Sequence, residues 1–132
     1  MLQPAVRGPE GLRPDAPTLR VELAPEILRQ RLVIEGTIRH TISDVDIRDY
    51  LSALSEVCGM TPLMTPMTHR SDLYGWAGWI HWETSGAHFY AWDEPRRFFS
   101  VDIYTCKAFD PRDAVDFTAR CFHPIETTWF GF

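Results

Sequence analysis

The stretch from Gly75 to Trp92, GWAGWIHWETSGAHFYAW, constrains the chain most. Two aromatic-rich runs flank a short link at Thr84-Ser85-Gly86. Residues that alternate with a period of two lie on opposite faces of a strand. A link this short makes the two strands antiparallel neighbours. Ser85 lies in that link. Ser and Gly are common turn residues. The small Gly86 and Ala87 also allow close backbone approach. The position therefore suits either a plain turn or a nucleophile.

Other elements assemble around this hairpin. RLVIEGTI (31–38), FFSVDIYTC (98–106) and PIETTWFGF (124–132) read as strands. Prolines in TPLMTPMT (61–68) predict an edge strand or an extended connector. In SDVDIRDYLSALSEVCG, residues Ile47, Tyr50, Leu51, Leu54, Val57 and Cys58 recur on one helical face. Ser43 with Asp46 predicts a capping box, and Gly59 a helix stop. A second helix is predicted in DPRDAVDFTARCF. Asp110 is its N-cap, Pro111 its first residue, and Ala114, Phe117 and Cys121 its buried stripe. The order β-α-β-β-β-β-α-β predicts an α+β fold: a two-layer sandwich with a largely antiparallel sheet and two helices on one face. Residues 1–30 carry Pro4, Pro9, Pro14, Pro17 and Pro25 and are expected to form an irregular arm. Residues 31–132 are expected to form one folded domain.

The net charge of −5 argues against a nucleic-acid partner. No apolar run approaches a membrane span, and no apolar leader opens the chain, so neither membrane nor export is expected. Cys58, Cys106 and Cys121 are irregularly spaced and odd in number. That argues against a disulfide framework and for a reducing, cytoplasmic setting. His40, His69, His81, His88 and His123 lack ligand spacing, so no metal is expected. Cys106 ends a strand and is either a buried, inert thiol or a polar, reactive one. Glu35 alternates with Ile34 and faces the other way. Trp76, Trp79, Trp82 and Trp92 suit a core or an interface.

Five segments, in order and spacing, resemble the small bacterial and archaeal S-adenosylmethionine decarboxylases, which depend on a pyruvoyl group. They are RLVIEG, HRSDLYGWAGWIHWETS, FYAW, SVDIYTCK and FDPRDAVDF. The resemblance implies that Ser85 attacks the preceding carbonyl, cleaves the chain after Thr84 and becomes the pyruvoyl cofactor. It implies Cys106 as proton donor and Glu35 as the acidic residue of the substrate site. Trp92, matched within FYAW, is a further substrate-site candidate. S-adenosylmethionine would be the substrate, polyamine formation the setting, and a homodimer or larger assembly the working form. The chain departs from the family pattern at four positions. Thr84 replaces a glutamate, and Gly86 a histidine. Tyr90 stands in place of the processing histidine, and His88, on the same strand face, is its candidate substitute. Ser71 occupies the place of the aromatic that stacks on adenine. Two alternatives follow: the same fold with another amino acid or adenosyl metabolite as substrate, or an unprocessed, non-catalytic ligand-binding or partner subunit.

Overall fold

The computed structural model describes residues 22–132. Much of the predicted arm, residues 1–21, lies outside them; residues 22–29 form loop and turn. The elements follow as β1 (Gln30–Thr37), α1 (Asp44–Val57), β2 (Met67–Arg70), β3 (Trp76–Trp82), β4 (Ser85–Trp92), β5 (Phe98–Thr105), α2 (Pro111–Phe122) and β6 (Glu126–Gly131). All strand pairs are antiparallel, in the order β2-β3-β4-β5-β1-β6. The α+β sandwich expected from the sequence is the architecture observed. Of TPLMTPMT, Met67 and Thr68 enter β2, and Pro62 bridges to Trp82.

Local chemistry sets the helix limits. Ser43 Oγ accepts from the Asp46 N–H at 3.1 Å, while Asp46 Oδ2 accepts from the Ser43 N–H at 3.0 Å. This reciprocal box satisfies two donors that a helix start leaves unpaired. At the other end Gly59 adopts φ 69°, open to glycine at little cost. The Gly59 N–H then reaches the Glu56 carbonyl, and the Met60 N–H reaches that of Ser55, a paired closure that ends α1. Asp110 caps α2 by accepting from the Arg112 N–H at 2.9 Å. The α2 stripe departs from expectation: Ala114, Thr118 and Phe122 are buried, whereas Cys121 is exposed and Phe117 half-buried. Thr118 can take a buried position because its hydroxyl donates to the Ala114 carbonyl at 2.7 Å and meets Tyr50 Oη at 2.7 Å.

The core lies between the helices and one sheet face. Leu32 and Ile34 of β1, Ile80 and Trp82 of β3, Phe89 of β4, and Phe99, Val101 and Ile103 of β5 meet Ile47, Leu51 and Leu54 of α1 there. Trp82 is fully buried, and its Nε1–H donates to Ser55 Oγ at 2.7 Å. Ser55 in turn donates to the Leu51 carbonyl at 2.9 Å. Replacing Ser55 by Ala leaves the indole N–H buried without a partner. The expected cost is about 1–3 kcal/mol of folding free energy, read as a lower urea midpoint with an unchanged slope.

Candidate active site

The β3–β4 link differs from expectation. Trp82 and Ser85 pair directly, so the turn is Glu83-Thr84 and Ser85 is the first residue of β4. A two-residue loop is the tightest common hairpin connection. Its backbone is tied on both sides. The Glu83 N–H donates to the Thr61 carbonyl at 2.9 Å, and the Cys106 N–H donates to the Thr84 carbonyl at 3.0 Å. The second bond exists because β5 pairs beside β4, with Thr105 opposite Ser85.

Ser85 shares a sheet face with its partners Trp82 and Thr105, both fully buried. That is the helix-covered face. Accordingly, Ser85 Oγ lies 3.6 Å from Met60 Sδ, in the segment just after α1, and 3.2 Å from Thr84 Oγ1. Thr84 Oγ1 is itself 3.5 Å from Met60 Sδ. Cys106, one residue beyond Thr105, is free and exposed. By contrast, burial and the nearby Asp113 push the Cys58 thiol up to about 12, which suppresses thiolate formation there.

A groove of about 770 Å³ opens on the opposite sheet face beside this hairpin. Arg31, Trp79, His81, His88, Asp102 and Tyr104 line it, and Thr84, Ser85, Gly86 and Cys106 stand at its end. Arg31 grips both oxygens of Asp102, at 3.0 and 3.2 Å. Its guanidinium also stands 5.7 Å from the Tyr104 ring centre.

His88 and Tyr90 lie on this groove face, away from the Ser85 hydroxyl. His88 Nδ1 is 3.4 Å from Tyr90 Oη, and its ring stacks on Trp79 at 6.0 Å. The stack continues through Tyr90 to Trp92, at 6.1 Å, and on to Phe98, at 5.5 Å. Gly86 is confined: an added Cβ would sit 2.9 Å from the Ile80 carbonyl oxygen. A histidine there would require the backbone to shift.

The remaining candidates gather at the far end of the sheet. Glu35 pairs with Ser100, five residues along β5 from Thr105, so it stands roughly 17 Å from the level of Ser85. Burial raises the Glu35 carboxyl above its ordinary range, and a hydrogen bond with Ser100 partly opposes this. Trp92 ends β4. Ser71 lies in the β2–β3 turn, where its hydroxyl accepts from the Leu73 N–H at 3.1 Å. Thus Ser85 and Cys106 meet at one end, while Glu35, Ser71 and Trp92 do not join them within one chain. Sequence reasoning passes over Met60 as a neighbour of Ser85. Its place directly after the Gly59 helix stop is the available signal.

The fold is thus an α+β sandwich with a serine at an inner hairpin tip, and the carbonyl before that serine is held by a backbone donor. The S-adenosylmethionine decarboxylase family profile matches residues 27–130, and the chain belongs to that family. Its fold is similar to that of the adenosylmethionine decarboxylase from Aquifex aeolicus, with TM-score 0.66 and 18% identity over 80% of this chain and 89% of that one. No curated protein matches the sequence. Among the described residues no helix is long and apolar enough to cross a membrane. None of their His, Cys, Asp and Glu side chains cluster so as to hold a metal ion.

The raised Glu35 value sets a pH dependence. The folded chain binds this proton more tightly than the unfolded chain, so the resulting stability is present at low pH and lost as pH rises through the folded value. Glu35→Gln lacks that loss. Its stability relative to the parent should therefore rise as pH increases above the ordinary glutamate value of about 4.3, measured by urea midpoints at each pH.

Proposed function

We propose that the chain is a pyruvoyl-dependent S-adenosylmethionine decarboxylase that cuts itself between Thr84 and Ser85. The observation that carries this reading is the 3.0 Å hydrogen bond from the Cys106 N–H to the Thr84 carbonyl. Attack by Ser85 Oγ on that carbonyl carbon puts negative charge on its oxygen. A donor already in place there lowers the barrier without reorganising. The hydroxyl proton moves to the Ser85 amide nitrogen, the peptide C–N bond breaks, and an ester joins Thr84 to Ser85 Oγ. Loss of the Ser85 α-proton then breaks the Cβ–Oγ bond and releases the Thr84 carboxylate. Water converts the dehydroalanine left behind into a pyruvoyl group, with loss of ammonia.

The residues present fit such a group: a hydroxyl at the new terminus, a held carbonyl before it and a groove of about 770 Å³ beside it. When present, a pyruvoyl group supplies an electron sink for a substrate amine that loses CO₂. Cys106, exposed next to Ser85, is the proton donor to the product carbon. Glu35 supplies the acidic contact of the substrate site. The product serves polyamine formation in the cytoplasm. The aromatic row from Trp79 to Phe98 and the separation of Glu35 and Trp92 from Ser85 support a homodimer. Two copies packed on this face about a two-fold axis bring one copy's Glu35 end over the other's Ser85 end.

Denaturing mass spectrometry of the purified chain should return two pieces, one ending at Thr84 and one beginning with a pyruvoyl group. Ser85→Ala should stay intact. Cys106→Ala should still be cut but lose CO₂ release from labelled S-adenosylmethionine by at least about 100-fold. An uncut parent chain under all conditions rejects the reading and favours a non-catalytic subunit. Sedimentation equilibrium should give twice the chain mass; a monomer at working concentrations rejects the homodimer alone.

A further inference from the structure

We infer that the Thr84 hydroxyl is a catalytic group of the self-cleavage, relaying the proton from Ser85 Oγ to the amide nitrogen that leaves. The inference rests on the proposed cleavage and concerns how it proceeds in this chain. A serine hydroxyl attacking its own peptide bond must lose a proton, and the departing nitrogen must gain one. The aromatic and imidazole side chains suited to such work, His88 and Tyr90, lie across the sheet from Ser85 Oγ. Position 86 has no space for an imidazole beneath the Ile80 carbonyl.

The hydroxyl of Ser85 instead meets Thr84 Oγ1 at 3.2 Å and Met60 Sδ at 3.6 Å. A thioether is a weak acceptor and carries no proton to give. Thr84 Oγ1 can both accept and donate. It belongs to the residue whose carbonyl is attacked, and it is four covalent bonds from the Ser85 amide nitrogen. In the step, Ser85 Oγ–H passes its proton to Thr84 Oγ1 as the O–C bond forms. Thr84 Oγ1–H passes its own proton to the nitrogen as the C–N bond breaks, and the threonine ends unchanged.

Met60 supports this arrangement from below. It is buried, and its backbone is fixed by the N–H bond to the Ser55 carbonyl at 2.8 Å. Its sulfur lies 3.5 Å from Thr84 Oγ1. Both hydroxyls therefore sit over one apolar neighbour, with no charged group competing for either in these contacts.

The test follows cleavage of newly made chain in a cell-free translation reaction, pulse-labelled and sampled under denaturing conditions. Thr84→Val keeps shape and removes the relay. It should slow appearance of the two pieces by about 100-fold, and hydroxylamine, which cuts esters, should not restore the rate, because the ester itself forms slowly. Thr84→Ser keeps the hydroxyl and should cleave near the parent rate. Circular dichroism checks folding, and Thr84→Ala, which adds no atoms, replaces the Val variant if that one misfolds. Cleavage of folded Thr84→Val or Thr84→Ala at the parent rate overturns the inference and leaves the proposed function standing. Thr84→Ser as slow as Thr84→Val also overturns it, by pointing to the methyl group. A parent chain that never cleaves overturns both.

Discussion

The hydrogen bond from Trp82 Nε1 to Ser55 Oγ, 2.7 Å long and fully buried, is the contact on which the active end of the sheet depends. It fastens the last residue of β3 to α1. Trp82 pairs across the strands with Ser85, and the link between them is two residues long. The tip is then reached from two sides. The segment after α1 takes the Glu83 N–H through Thr61, and the end of β5 gives its Cys106 N–H to Thr84. A loop with both backbone neighbours committed has few ways to relax. That is the setting in which one particular carbonyl can be kept facing one particular donor.

Much of this is legible in the sequence, and what is not legible has a common cause. The capping box at Ser43 and Asp46, the Gly59 stop and the Asp110-Pro111 start are local, so they read directly. The strands read from alternation. The reading of Cys121 as part of the α2 stripe fails because Thr118 is buried through a bond to Tyr50, a residue 68 positions away. The span of the hairpin link fails for the same reason. Ser85 looks like a turn residue until the register set by Trp82 and Thr105 makes it the start of a strand. The insertion of β1 between β5 and β6 depends entirely on long-range pairing. Ser85 and Cys106 were readable as candidates through their spacing; that a backbone N–H joins their neighbourhoods was not.

The sheet also divides labour between its faces. The hydroxyls of Thr84 and Ser85 meet Met60 on the helix-covered side, in contact with the core. The groups suited to recognising a ligand stand on the other side: Arg31 held by Asp102, the Trp79–His88–Tyr90 stack and half-buried Glu35. Burial favours the neutral form of Glu35 there, so a cationic partner would restore its charge. The hydroxyl pair and the groove therefore lie in different surroundings, joined at the hairpin tip, where Cys106 lies beside both.

The strand order has a consequence for the chain's integrity. On one side of the Thr84–Ser85 bond lie β1, β2, β3 and α1; on the other lie β4, β5, β6 and α2. In the sheet these are interleaved, because β1 is wedged between β5 and β6 and β3 runs beside β4. Each half keeps only one strand pair of its own, β2–β3 in the first and β4–β5 in the second. A break at the tip would turn one polypeptide into two that are threaded through each other, and neither could leave without dismantling the domain. The pairing of β1 with β5 and β6, and of β3 with β4, would then hold the shape in place of the peptide bond.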